Sequence, residues 1–488
     1  VSDTLAKLQS ALAPKTGMRR IPFPLESYEH PSLPLSSKRL LNMMAEKQPD
    51  DARTAAALVS TPGLLPYLVV GSGPILAMND DNPGRIYIVS GTRFYRMYFA
   101  PGGPAVVEDL GEIGTPDTTL GASNAFVTIA AGPTAAVVCV TPNAFTCAHE
   151  PGAPLNQITD PDFPGASSVA YVDGYFAFSN NNNTSSWFIS RLLDPLAFDA
   201  LDFVFSDALP NVIRRVISHR GQLWTIGEGG FEIWYNAGAA DFPFRRAAGG
   251  VIPIGTAAPL SVCRADKSVW WLGIDGIVYR SEGYEMRRVS THAIEAIIAG
   301  NVVGLDAMTH PYRGHWVYSL TTTSNRSMVY DAATGVWHER STSADGVGPW
   351  QASTAATGTN TIQMYGDRDT GQIYTLGMQA TDAGVAVLRQ ATFPPLWAET
   401  RRAFCARVEV EMECGGAATP GALTLEWSDD GSRTWGPTRI MSSGAPAETR
   451  HRVFTTRLGS FRQRTFRLSS HGLTRLYALD ADIQAGGH

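Results

Sequence analysis

The chain has 488 residues, and 44% hydrophobic residues with 47 glycines and 31 prolines describe a globular, turn-rich protein, not a disordered or fibrous one. Charged residues make up 17% and the formal net charge is −6, so no overall basic field draws the chain onto nucleic acid or anionic lipid. The length exceeds what one ordinary core holds, and more than one folded unit is expected.

Ser2 is placed to cap a short amphipathic helix reaching about Leu12, with Leu5, Leu8, Ala11 and Leu12 on one stripe. The opening residues lack the apolar core of a signal peptide, and no stretch reaches the ~18 apolar residues of a membrane span. Synthesis in a cytoplasm, with no direct membrane span, is the expectation. Residues 1–67 read as this helix followed by a proline-interrupted extended arm around the first blade, with one strand at Arg39–Met44.

From 68 to 376 the sequence is strand-rich and repetitive. Units beginning at Asp173, Arg220, Asp266 and Tyr312 each hold an aromatic strand, a polar turn and a second strand. Trp224, Trp270 and Trp316 recur at intervals of 46 residues, with a fainter copy at Met364. A repeat of roughly 40–50 residues containing several strands is the signature of a β-propeller blade. Such a sheet cannot cover both faces alone, so the copies must stack on one another. The span allows six or seven blades, one of which can be shared between its two ends so that no edge strand is left free. Gly227, Gly229 and Gly230 are expected to supply positive backbone angles for a hairpin. Two places break the rhythm: the run Asn180–Asn183, and the segment from Arg191, which holds more connecting sequence than a hairpin needs and is a contact point of the kind long loops provide.

Beyond 377 the pattern becomes that of an antiparallel β-sandwich of about 100 residues, assigned to 377–488. Ala406, Val408, Val410 and Met412 alternate with Arg407, Glu409, Glu411 and Glu413. The fold class is therefore all-β: a propeller followed by a sandwich.

No constellation of catalytic groups stands out, and none is assigned. Asp160, Asp162, Asp194, Asp199, Asp202 and Asp207 are plentiful but unpaired by spacing, and turn or surface roles are expected of them. The ten histidines form no metal-ligand pattern, and neither a nucleophile elbow nor a phosphate-binding loop is present. No metal and no cofactor is expected. Cys139, Cys147, Cys263, Cys405 and Cys414 are scattered without Cys-x-x-Cys spacing and read as reduced thiols. Asn183-Thr184-Ser185 matches a glycosylation acceptor but reads as an ordinary turn. The arginine pairs 214–215, 245–246, 287–288 and 401–402 are read mainly as salt bridges between subunits, with phosphate contact as the alternative, because neighbours in a strand point to opposite faces and form no contiguous patch. One structural element is singled out. Ser428, Asp430, Thr434 and Trp435 resemble an Asp-box hairpin, whose carboxylate accepts backbone N–H groups across the turn while the tryptophan packs beneath, with Ser432 where glycine is usual.

The run DGYFAFSNNNNTSSWFIS from Asp173, followed by PNVIRRVISHRGQLWTIGEGGFEIWYNAG, resembles the tail hub (nozzle) proteins of short-tailed bacteriophages, the packaged-DNA stabilisation family. The matching positions are Gly174, Tyr175, Ser186, Trp187, Phe188, Gly227 and Glu232 to Tyr235. Asn42, Glu46, Lys47 and Thr61 to Leu64 resemble the family's opening, and the Asp-box segment its closing domain. The resemblance implies a structural protein of the virion tail, made in the host cytoplasm and assembled as a homo-hexameric ring. It also implies contact with the head-to-tail adaptor ring and with fibre, spike or plug proteins, retention of packaged DNA, and non-specific passage of double-stranded DNA. A glycan-binding or glycoside-hydrolysing propeller is the alternative.

Overall fold

The computed structural model describes residues 17–49, 54, 56–82, 84–99, 103–117, 126–209, 212–299, 305–358, 361–398, 401–414, 422–445, 448 and 450–485. The helix expected over Ser2–Leu12 lies outside them.

Apolar alternation and tight turns build the propeller blade by blade. Asp173–Gly174, Arg220–Gly221, Asp266–Lys267 and Arg313–Gly314 each place two successive residues at positive φ, the requirement of the two-residue turn whose twist matches that of paired strands. Six separate four-stranded antiparallel sheets result, together with a seventh four-stranded set that runs on into the sandwich. In chain order their first strands are Ile75–Asn79, Thr128–Ala131, Ala166–Val172, Ile213–His219, Cys263–Ala265, Asp306–Tyr312 and Ala352–Thr357; we number the blades 1 to 7 accordingly. The set continuous with the sandwich is blade 6. Its last strand, Val336–Arg340, meets Ser37–Leu41 through the single parallel pair Leu41 and Glu339. Blade 7 takes its fourth strand, Gly63–Val69, from the other end of the propeller sequence, so the ring is closed by sharing, as the repeat arithmetic anticipated.

Each neighbouring pair of blades encloses its own apolar cluster. Trp271 and Phe231 lie between blades 4 and 5, Trp270 and Tyr318 between 5 and 6, and Ile75 and Met364 between 7 and 1. One short helix, α1 (His292–Ile298), follows blade 5 and contributes Ile294 and Ile298 to the blade 5–6 cluster.

The sandwich has two sheets around a core that includes Leu40, Leu58, Val408, Phe466 and Leu479. One sheet orders Met43–Lys47, Ala56–Ser60, Thr474–Ala485, Ala403–Cys414 and His451–Thr456, with Gly17–Arg20 on Thr474–Ala485. The other continues from Ser37–Leu41 through Arg389–Thr392, Gln463–Ser470 and Leu423–Ser428 to Gly436–Met441. The N-terminal stretch is thus not an arm around the first blade. Its strands pair with C-terminal ones because they carry buried apolar residues such as Leu40, Met43 and Leu58 that only the sandwich core can cover. The single strand expected at Arg39–Met44 is two strands broken at Asn42, whose φ of 51° turns the chain from one sheet to the other.

Two further expectations are corrected by register. Of Gly227, Gly229 and Gly230 only Gly230 has positive φ; the strongly left-handed turn of that blade lies at Arg220–Gly221, where the hairpin is two residues long. Trp224 and Trp270 are opposite Ile217 and Cys263, each two residues beyond the turn-flanking pair, and both are buried. Trp316 is only one residue beyond its flanking His315. A one-residue step reverses the face of a strand, so Val317 takes the equivalent buried position and Trp316 stays 37% exposed.

Candidate functional site

The Asp-box hairpin connects Leu423–Ser428 to Gly436–Met441. Asp430 Oδ1 accepts from Ser428 Oγ at 2.7 Å and from the amides of Arg433 and Thr434 at 3.0 Å, while Thr434 Oγ1 donates to Oδ2 at 2.6 Å. The Thr434 hydroxyl and amide, followed by Ser428, hold the carboxyl far below the usual carboxylate range. Ser432, in the usual glycine place, has φ 69°, and its hydroxyl meets that of Ser37 at 2.6 Å. Next to the box, the buried Arg464 grips Asp429 with two contacts of 2.7 Å. Trp435 is half-buried and lies under the Arg467 guanidinium at 3.9 Å, not in the core. What the hairpin joins is the N-terminal strand Ser37–Leu41 to the sandwich.

The seam between blade 6 and the sandwich is held by a network of buried polar contacts. Glu339 Oε2 accepts from Arg39 Nε at 2.7 Å and from Arg326 Nη2 at 2.9 Å, and Arg326 reaches on to Glu29 at 3.0 Å. Burial pushes Glu339 up, but the two guanidiniums outweigh it and hold the carboxyl below its ordinary value. Asn42 donates from Nδ2 to the carbonyls of Ser341 and Leu388 at 3.0 and 2.8 Å, and accepts from the Ser341 amide at 3.1 Å. Arg340, stacked on Trp350 at 3.6 Å, donates to the Pro62 carbonyl at 2.6 Å. The Leu64 amide donates to the buried Asp382 at 2.7 Å. Asn42, Pro62 and Leu64 from the first part of the chain therefore fix blade 6, blade 7 and the sandwich to one another.

The propeller's central channel has a volume of about 590 Å³ and is lined by the first strand of every blade. Arg264 on blade 5 donates to Asp81 after the first strand of blade 1 at 2.9 Å and to the Ser218 carbonyl of blade 4 at 2.9 Å. An ion pair between non-neighbouring blades necessarily crosses the bore.

Both parts of the chain match known families. The family model described as bacteriophage P22 Gp10, β-propeller, matches residues 30–381, and that described as bacteriophage P22 Gp10, β-sandwich, matches residues 389–485. The chain belongs to the bacteriophage P22 Gp10 family. No curated protein matches. Matches among solved structures include the extracellular domain of a putative hybrid two-component system of B. thetaiotaomicron, with TM-score 0.41 and 10% identity over 65% of this chain and 40% of that one. The RRP9 WD40 repeats give TM-score 0.41 and 8% identity over 65% of this chain and 100% of that one. The chain spans less than half the length of the first of these.

The Gp10 family is one of phage tail structural proteins, and most of the residues singled out in this chain's sequence have partners within the chain. Asp160 Oδ1 accepts from the Asp162 amide at 2.8 Å, Asp194 from Leu196 at 2.9 Å and Asp199 from Leu201 at 3.0 Å. Asp202 faces Arg191, and Asp207 faces Arg246. Among the arginine pairs, Arg214 meets Glu228, Arg245 meets Asp241, Arg287 meets Glu282 and Arg288 meets Glu295. The buried Arg215 donates instead to the carbonyls of Pro259 and Val262. Cys139, Cys147, Cys263 and Cys405 are free, and burial pushes the Cys147 and Cys405 thiols up to about 11. The seam residues Glu339, Arg326, Arg340 and Asp382 carried no signal in sequence, because partners some 300 positions apart leave no local pattern; only Asn42 and Thr61 to Leu64 stood out, through family resemblance.

Proposed function

We propose that this chain is the tail hub, or nozzle, of a short-tailed phage. Copies of it form a homo-oligomeric ring, six-fold by family resemblance, below the adaptor ring; the ring lengthens the DNA exit channel, helps retain the packaged genome and seats fibre, spike or plug proteins. The observation that carries this reading is the seam, where Glu339, Asn42 and Arg340 tie the propeller and sandwich of one family into one block, the property a rigid ring segment needs. The blocked bore supports a DNA path between copies, not through a propeller. A net charge of −6 per chain repels a passing duplex instead of holding it.

The test is negative-stain imaging of the purified protein mixed with its adaptor ring. Rings capping the adaptor, with an axial hole outside every propeller, are expected. A monomer that ignores the adaptor, or duplex density inside a single propeller, overturns the reading.

A further inference from the structure

The segment after the third strand of blade 3 exposes Leu192, Leu193, Leu196 and Leu201, and the fourth strand that follows exposes Phe203 and Phe205. Such a concentration is unusual for a free surface. It is also held still. Arg191 bridges Asp199 and Asp202, Phe198 is buried against Phe163 and Phe178 at 5.1 and 5.7 Å, and the Leu193 amide donates to the Gly174 carbonyl at 2.8 Å. Leu193 itself sits at φ 58°, a strained backbone for a leucine, with its side chain half in solvent. Phe203 and Phe205 meet edge-on at 5.5 Å on the outer strand. Asp194, Asp199 and Asp202 rim the patch, and residues 150–207 hold eight acidic residues against one basic, Arg191. An apolar centre with an acidic rim calls for an apolar segment carrying basic residues.

The sequence of residues 1–16 supplies one, with Leu5, Leu8 and Leu12 spaced at three and four residues and Lys7 and Lys15 beside them. We propose that blade 3 receives the N-terminal segment of a neighbouring copy. A second copy, not the same chain, follows from reach. Gly17 is paired to Ile483 in the sandwich, which grows from blade 6, and blade 3 is three steps away in a ring of seven. Four strands at about 4.8 Å make each blade roughly 15 Å deep, so opposite rims are at least about 30 Å apart before the channel is counted. With Leu5 to Leu12 engaged, only residues 13–16 tether Leu12 to Gly17, five steps that span about 18 Å when fully extended. A contact between one patch and a different patch of the next copy is heterologous, the kind that closes rings. The inference rests on the ring-forming reading for the presence of a neighbour.

A fluorescent peptide of residues 1–16, titrated with the full-length protein, is expected to show saturable binding. Leu201→Asp or Phe203→Asp in the protein, both on exposed side chains, is expected to weaken it at least tenfold, and Leu8→Asp in the peptide likewise. No saturable binding, or binding indifferent to these changes, overturns the proposal. The copy is assigned with a photo-crosslinker at position 8 of the full chain in a mixture of isotopically heavy and light protein. Links joining heavy to light chains at 192–205 are expected; links within one chain, elsewhere or absent overturn it. Association with the adaptor ring is scored separately, so a protein that caps the adaptor but fails the titration keeps the hub function and loses this contact.

Discussion

Glu339→Gln tests the seam directly. The substitution keeps the shape and removes the charge that faces Arg39 at 2.7 Å and Arg326 at 2.9 Å, in a site where Glu339 is 1% exposed. Removing one partner of a buried ion pair leaves the other uncompensated and costs about 3–5 kcal/mol. Arg326 retains Glu29 and Arg39 is partly exposed, so the lower end, about 3 kcal/mol, is expected here, more than a hundredfold in the unfolding equilibrium. Urea unfolding at pH 7 followed by tryptophan fluorescence reads the loss, and a cycle with Arg39→Met should return a coupling above about 1 kcal/mol. The pH dependence has a definite sign. Because the folded Glu339 titrates below its ordinary value of 4.5, its contribution is complete above that value and fades as pH falls through the folded one. The difference between wild type and variant should therefore narrow in acid. A loss below about 1 kcal/mol at pH 7, or one that grows as pH falls below 4, would refute the assignment of the seam to this carboxylate.

Trp270→Ala should cost about 3–5 kcal/mol, since the buried ring packs on Tyr318 and Tyr330, whereas Trp316→Ala should cost under about 1 kcal/mol; equal losses in thermal unfolding would contradict the register. Ser432→Ala should destabilise by about 1–2 kcal/mol, because it retains the left-handed strain and deletes the contact with Ser37, while Ser432→Gly should fall closer to wild type by offsetting the lost hydrogen bond with relief of strain. Asp430→Asn should loosen the 428–435 turn, seen as faster amide exchange at Arg433 and Thr434, with the propeller amides unchanged.

Much of the fold was legible because blade formation is local. Alternation such as Leu223, Trp224, Thr225 writes a strand within a few residues, whereas the two-residue turns at Asp173–Gly174 and Arg220–Gly221, which head their units, were not read as turns. The partner of Ser37–Leu41 was not legible, since an apolar strand read alone does not say which distant sheet will cover it. Trp316 shows the limit of repeat spacing: an interval of 46 residues conceals a one-residue change in turn placement, and only paired register shows which face the ring occupies. The Asp box was readable as a hairpin, but its link to Ser37 depended on that same unseen pairing.

The borrowed strand of blade 7 has a temporal meaning. Val69 pairs with Gln372, and Ser60 sits against Thr474, so these early-made strands lack their late partners until the ribosome has delivered most of the polypeptide. Neither circle nor sandwich can be finished piecemeal, because loop closures of several hundred residues must come last. A prematurely terminated product would thus expose both an open blade and a naked sheet, and only complete chains would present the surfaces from which a tail is built.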